Sequence, residues 1–288
     1  MNELGYRIDN EEQSNDIQVG FFGGSTAFSV FTTNELSIPK LIESKCSNNL
    51  SVLNFGVGGY SSLNEIGAAI ESLRHYNLNH LIFYDGVNEV ARYIENYQWY
   101  GDNDNIYSYI GFPYDAEGNT TLDYRKSWQE NLIWLKNISL GRIIYKALSK
   151  IQGKDNSLIK FDENKILDKI DFHTNQIFKI YINNISIISS ILNDTDKTFE
   201  FFWQPNLAFK EKNKNEINMN IVEKKIHKNL QKYIKKHKNI NNISNMFEKN
   251  NSYIFVDSNH GGKTLNDAVS NEIIKKSNFL KQYCKNLK

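Results

Sequence analysis

Three short apolar runs, each closed by glycine and followed by a helix-length stretch, constrain this chain more than any other feature. Ile17 to Phe22 ends in Gly23-Gly24, Leu50 to Phe55 ends in Gly56-Val57-Gly58-Gly59, and Leu81 to Tyr84 ends in Asp85-Gly86. Residues 34–46 and 62–76 between them read as helices. Runs that are apolar on both faces belong to a buried parallel sheet, and the helix between two of them is its crossover. Thr198 to Trp203 reads as a fourth strand stopped by Pro205, and Tyr253 to Val256 as a fifth, followed by Asp257. Ile177, Tyr181, Ile185, Ile188 and Leu192 recur at helical spacing, as do Val222, Ile226, Leu230, Ile234 and His237. A last helix is expected over about 264–284, with Leu265, Val269, Leu280 and Tyr283 on one face. The expected fold is a three-layer α/β/α, flavodoxin-like doubly wound parallel sheet of about five strands. It is expected to fill a single domain over 1–288, with an aromatic-rich insertion at about 93–128.

Composition excludes several function classes. With 40% hydrophobic and 23% charged residues in 288, the chain has a sizeable core and is not disordered. Two cysteines, Cys46 and Cys284, exclude a disulfide framework and a cysteine-rich zinc site. No run approaches the ~18 apolar residues of a membrane span. The first twenty residues are polar and acidic, so no signal peptide is expected, and the chain reads as cytoplasmic if its N-terminus is intact. Residues 1–144 carry 9 basic and 18 acidic side chains, a balance of −9, and residues 145–288 carry 25 and 15, a balance of +10. The lysines of the basic half, such as Lys224, Lys228, Lys232 and Lys235, fall between apolar residues at helical spacing, as on a solvated helix face. No nucleic-acid partner is expected. The six histidines form no short ligand pair, so no metal is expected. Gly56-Val57-Gly58-Gly59-Tyr60-Ser61 comes after a strand as a dinucleotide-binding loop does, but Ser61 stands at its third glycine position. No cofactor is expected.

Residues 93–128 break the strand–helix rhythm with ten aromatic side chains, among them Tyr93, Tyr97, Trp99, Tyr100 and Trp128. A long irregular insertion with this content reads either as a stacking wall for a substrate or as packing of the insertion itself. On the first reading, Trp99 and Tyr100 are substrate-binding candidates.

Ligands of an open parallel sheet bind beyond the carboxyl ends of its strands. Ser25 stands just past the first strand, Gly58-Gly59 past the second, Asn88 past the third, and Asp257 with His260 past the fifth. Each alone has a plain structural use, as a turn, a cap or a surface group. Together they match the parts that acyl transfer needs: a nucleophile, a base, a group orienting the base, and donors for an oxyanion. Ser25 supplies a hydroxyl and an N–H. His260 supplies an imidazole, whose ordinary pKa near 6.5 suits a base. Asp257 stands three residues earlier, about one helical turn, to hold the other ring nitrogen. Gly59 and Asn88 offer a backbone N–H and a side-chain amide.

This constellation resembles the SGNH hydrolases, the GDSL-like esterase superfamily. The resemblance runs in block order over nearly the whole chain: Phe22-Gly23-Gly24-Ser25-Thr26, then Asn54 to Ser61, then Asp85-Gly86-Val87-Asn88-Glu89, then Asp257-Ser258-Asn259-His260. It implies Ser25 as nucleophile, His260 as base and Asp257 as third member of a triad. It also implies an oxyanion hole made by Ser25 N–H, Gly59 N–H and Asn88, with Gly59 preferred over Gly58 by its spacing from Asn54. Two positions depart from the family pattern. Gly24 replaces the usual Asp before the serine, as in GGST-type members that look polysaccharide-associated, and Glu89 replaces the usual Asp after Asn88. The opening Asn2 to Arg7 also resembles a segment found before the first strand of such members, in which a membrane anchor often precedes it. The resemblance implies a serine esterase removing an O-acyl group, O-acetyl above all, from a carbohydrate or cell-surface glycan. The alternatives are an O-acyltransferase to a sugar hydroxyl and a non-catalytic glycan-binding protein of the same fold.

Overall fold

In the computed structural model, the described residues are 6–8, 16–100, 163–210, 219–250 and 252–284. The chain divides into two compact units, Met1–Ala91 with Ile166–Lys288, and Arg92–Lys165. The larger unit carries a five-stranded sheet of β1 (Ile17–Gly23), β2 (Leu50–Asn54), β3 (His80–Asp85), β4 (Thr198–Trp203) and β5 (Ile240–Asn242). All neighbours pair parallel, in the order β2-β1-β3-β4-β5. That is the flavodoxin-like order, in which the crossover direction reverses between β1 and β3 and leaves a cleft beyond their carboxyl ends.

The helices of the described residues are α1 (Ser25–Phe28), α2 (Ile38–Lys45), α3 (Ser62–His75), α4 (Val87–Tyr100), α5 (Glu163–Asp168), α6 (Ile170–Asn193), α7 (Ile221–Ile234) and α8 (Lys263–Lys276). Of the smaller unit, only the end of α4 and the start of α5 are described. The two faces of the sheet have different cores because successive strand residues point to opposite sides. On one face Val19, Phe21, Val52, Ile82, Tyr84 and Phe202 pack with Ile38 and Ile42 of α2 and Val269 and Ile273 of α8. On the other, the parallel register sets Phe22 beside Phe83 and Phe83 beside Phe201, and these rings stack at 5.1 Å centroid spacing. Phe55 extends the row at 4.9 Å from Phe22. On α6, Tyr181 meets Trp203 edge-on at 5.0 Å.

Three expectations are corrected. The fifth strand is Ile240–Asn242, not 253–256. This short strand pairs with Phe201–Trp203, and its sequence Ile-Asn-Asn lacks the apolar run that marks a strand. Tyr253 to Val256 owes its apolar character to a different role: Ile254 and Phe255 are buried in the core while Tyr253 and Val256 stay exposed. The last helix ends at Lys276, because the Ser277 hydroxyl accepts from Leu280 N at 2.9 Å and opens a separate turn. Residues 34–46 are a short 3-10 turn, then α2, with Ser37 capping and Pro39 in its first turn.

Cys46 and Cys284 form a disulfide that ties the end of α2 to the C-terminal segment, 238 residues away. Ser47 N donates to Tyr283 O at 2.9 Å beside it. The pair makes a single bridge, not a framework.

Candidate active site

Ser25 opens α1 directly after β1. Its turn is held from β2, where Asn54 Nδ2 donates to Ala27 O at 3.1 Å and Asn54 Oδ1 accepts from Gly56 N at 2.9 Å. Thr26 Oγ1 meets Gln204 Oε1 at 2.7 Å inside the protein, which fastens the same turn to the end of β4. The serine therefore sits on a fixed support while its own side chain remains partly accessible.

Asp257 and His260 lie on the loop between β5 and α8, and no strand immediately precedes them. The loop is shaped by Asp257 itself. Its Oδ1 accepts from Asn259 N at 2.9 Å and from His260 N at 2.7 Å, the Asx-turn arrangement of an aspartate that organises its own backbone. Val256 N donates to His260 O at 2.7 Å and Leu207 N to Ser258 O at 2.9 Å, closing the loop against its neighbours. The remaining Asp257 oxygen, Oδ2, lies 2.7 Å from His260 Nδ1, and His260 Nε2 lies 2.6 Å from Ser25 Oγ. A carboxylate only accepts, so Nδ1 carries the proton and Nε2 is left to accept from the serine hydroxyl. Burial raises the Asp257 carboxyl, but the His260 hydrogen bond and the two backbone amides outweigh it and hold the group below its ordinary pKa. The sequence-predicted trio is thus one hydrogen-bonded chain across 235 residues.

The glycine and asparagine candidates converge on the neighbouring loop. Val57 to Tyr60 is a tight turn closed by Tyr60 N donating to Val57 O at 3.1 Å, and Gly59 has φ +82° at its third position. A type II turn demands that positive φ, which is why glycine stands there. Asn88 Nδ2 donates to Tyr60 O at 2.5 Å, leaving its second N–H to another acceptor. Gly24 has a steric reason to stand before Ser25. A Cβ there would collide with Asn88 Nδ2 and stand 2.9 Å from Tyr60 O. The serine turn, the glycine turn and Asn88 therefore touch through an atom-sized gap that only glycine leaves open.

Glu89 and Glu65 complete a substructure that the sequence only partly signalled. Buried Glu89 accepts from Ser62 N at 2.7 Å and Gly86 N at 2.8 Å, tying the starts of α3 and α4 together beneath Asn88. Burial raises its pKa, against those two amides. Burial and the neighbouring Asp85 push Glu65 well above the carboxylate range, and burial pushes Asp85 up likewise. Tyr181 OH donates to Asp85 Oδ2 at 3.3 Å. Neither Glu65 nor Tyr181 carries a motif; each reads as an ordinary helix position. Trp99 and Tyr100 fall at the end of α4, with side chains outside the described residues, as does the remainder of the aromatic stretch to 128. Among the described residues no group of three His, Cys, Asp or Glu is placed to hold a metal ion. Nor is any described helix long and apolar enough to cross a membrane.

No family model matches the chain, and no curated protein does. Among solved structures it is similar to a member of the lipolytic protein G-D-S-L family from Veillonella parvula, at 11% identity and TM-score 0.47, covering 90% of this chain and 97% of that one. It is similar to the acetyl xylan esterase AlAXEase at 12% identity and TM-score 0.45, covering 90% and 98%. It is also similar to a catalytic mutant of Axe2, an acetylxylan esterase from Geobacillus stearothermophilus, at 9% identity and TM-score 0.44, covering 91% and 94%.

Proposed function

We propose that this protein is a serine ester hydrolase that removes an O-acyl group, with acetyl as the expected acyl and a carbohydrate as the expected alcohol. The observation that carries the reading is the chain from Asp257 Oδ2 through His260 to Ser25 Oγ, at 2.7 and 2.6 Å. His260 Nε2 takes the Ser25 proton as Oγ attacks the ester carbonyl, and Asp257 holds the imidazole in the tautomer that can accept it. Negative charge on the former carbonyl oxygen is met by Ser25 N–H, Gly59 N–H and the second hydrogen of Asn88 Nδ2. As the adduct collapses, the C–O bond to the alcohol breaks, and that oxygen takes the proton from His260. Water then repeats the sequence on the acyl-Ser25 ester.

Turnover of p-nitrophenyl acetate by the wild type, Ser25→Ala and Asn88→Ala tests this. Loss of the nucleophile is expected to cost on the order of 10⁶ in kcat. Loss of the Asn88 donor is expected to cost roughly 10²–10³. A Ser25→Ala protein as active as the wild type would overturn the reading.

A further inference from the structure

We propose that the Val30–Phe31 turn is the wall on which the leaving alcohol packs, that this alcohol presents a C–H-rich apolar face, and that Arg7 is the positioning residue of the wall. The inference rests on the ester-hydrolase reading of the same site.

Val30 and Phe31 are 43% and 54% exposed, although both are large and apolar. Scattered exposed apolar side chains are ordinary. These two are consecutive, and they stand beside the reacting groups. The Phe31 ring meets the His260 imidazole edge-on, with centroids 5.5 Å apart and planes at 89°. Thr26, Val30, Phe31, His260 and Leu265, among others, line a small hollow in the surface next to them.

The turn is held far more firmly than an exposed loop needs. Ser29, which precedes it, adopts φ 62° and ψ 58°, the left-handed region that costs a non-glycine residue ~1–2 kcal/mol. Among the described residues it is the only non-glycine at positive φ. The Ser29 hydroxyl donates to Thr26 O at 3.2 Å. Arg7, from the segment before β1, encloses the turn from outside. Its Nη1 donates to Phe28 O at 2.7 Å and Ser29 O at 3.1 Å, its Nη2 to Thr32 O at 2.9 Å, and its guanidinium lies 5.2 Å from the Phe28 ring centroid. From α8, Asn266 Nδ2 donates to Leu36 O at 2.8 Å. A planar fork spread over three carbonyls fixes direction as well as distance, which an ammonium does not. Arg7 thereby aims Phe31.

The reaction decides which half of the ester meets this wall. The carbonyl oxygen is drawn toward Ser25 N–H, Gly59 N–H and Asn88. The leaving oxygen must come within hydrogen-bond reach of His260 Nε2 to take its proton. A side chain packed on the imidazole therefore flanks the alcohol, not the acyl chain. An apolar ring edge offers dispersion and C–H contacts, so the matching alcohol carries a C–H-rich face, as a pyranose ring or an alicyclic alcohol does.

Two ester series test the inference in wild type, Phe31→Ala and Arg7→Lys. One holds acetyl fixed and varies the alcohol: ethyl, cyclohexylmethyl and an acetylated methyl pyranoside. The other holds p-nitrophenol fixed and varies the acyl chain: acetyl, butyryl and hexanoyl. For Phe31→Ala, kcat/KM is expected to fall about tenfold more for the two ring alcohols than for ethyl acetate, the loss of a few buried C–H groups. The ratios within the acyl series should stay within about twofold. Arg7→Lys should shift the alcohol series in the same sense, whereas a merely structural role would lower every ester by one factor. Because p-nitrophenol is itself a ring alcohol, the acyl series is read by its ratios: a Phe31→Ala change in those ratios, or one factor shared by ethyl acetate and the two ring alcohols, would overturn the inference. Because Phe31 is exposed, its variant keeps the test decisive should Arg7→Lys fail to fold. If the wild type turns over no ester and an organophosphonate does not label Ser25, the hydrolase reading itself fails, and this inference with it. Labelling and turnover without the alcohol-specific shift would sink the inference alone.

Discussion

Asp257→Asn separates the chemical task of Asp257 from its structural one. In the native loop its Oδ1 accepts two backbone amides at 2.9 and 2.7 Å, and its Oδ2 faces His260 Nδ1 at 2.7 Å. An asparagine oxygen at Oδ1 keeps both amide bonds, so the loop persists. Its NH₂ then stands where Oδ2 stood and points a donor at Nδ1. The imidazole responds by carrying its proton on Nε2, the atom 2.6 Å from Ser25 Oγ, and can no longer accept from the hydroxyl. The corresponding change in a Ser-His-Asp triad lowers kcat by ~10⁴, which corresponds to a barrier increase of about 5.4 kcal/mol. Stability should fall far less, by about 1–2 kcal/mol, since one charge-assisted hydrogen bond is replaced and none of the backbone bonds is lost. Asp257→Ala loses all three and should unfold more readily at a similar residual rate. The assay is kcat on p-nitrophenyl acetate beside a thermal melt for the three proteins. An asparagine variant within about tenfold of wild-type kcat would refute the tautomer argument.

Gly24→Ala places a methyl group against Asn88 Nδ2 and Tyr60 O, and should lower kcat by about 10–10² through displacement of the oxyanion donor while Ser25 still takes a covalent label; unchanged kcat would contradict the close approach. Reducing the Cys46–Cys284 bond, or Cys46→Ser with Cys284→Ser, opens a loop with sequence separation 238. On the chain-entropy relation this should cost about 5 kcal/mol, read as a lower urea midpoint, and an unchanged midpoint with both thiols free would refute it. Glu65 has a folded pKa raised by burial above its unfolded value. The folded state therefore holds a proton that the unfolded state releases as pH rises above about 4.3. Stability should then fall with rising pH by up to about 1.4 kcal/mol per unit while Glu65 stays protonated in the fold. Glu65→Gln should flatten that slope and be at least as stable at pH 7, by urea melts across pH; a steeper slope in the variant would count against the buried acid.

Much of this organisation was readable from residues alone, for identifiable reasons. Strands β1 to β3, and Phe201 to Trp203 of β4, are buried on both faces, so their apolar runs stand out against the helices. The five candidate residues of the triad and oxyanion donors lie past strand ends or at a short DxxH spacing, where few geometries are open. Strand β5 was not readable, because an edge strand of three residues needs only Ile240 buried, and a backbone ladder leaves no side-chain pattern. The DxxH loop was misplaced after a strand because Ile254 and Phe255 bury like strand residues while anchoring a loop. Arg7, Thr26 and Gln204 act through contacts of 21 to 178 residues' separation, which one sequence does not display. Glu89 was visible as the acidic residue after Asn88, but its two amide bonds join the starts of α3 and α4, a link that sequence spacing does not display.

The central claim is that Ser25 Oγ is the nucleophile of an acyl-transfer site. Stoichiometric labelling with an organophosphonate ester, then peptide mapping and residual turnover on the same sample, tests it most directly. The account predicts one label per chain, on the peptide bearing Ser25, with activity lost in proportion and no label in Ser25→Ala or at a comparable rate in His260→Ala. Turnover that survives complete labelling of Ser25, or a label that settles on another residue, would contradict it.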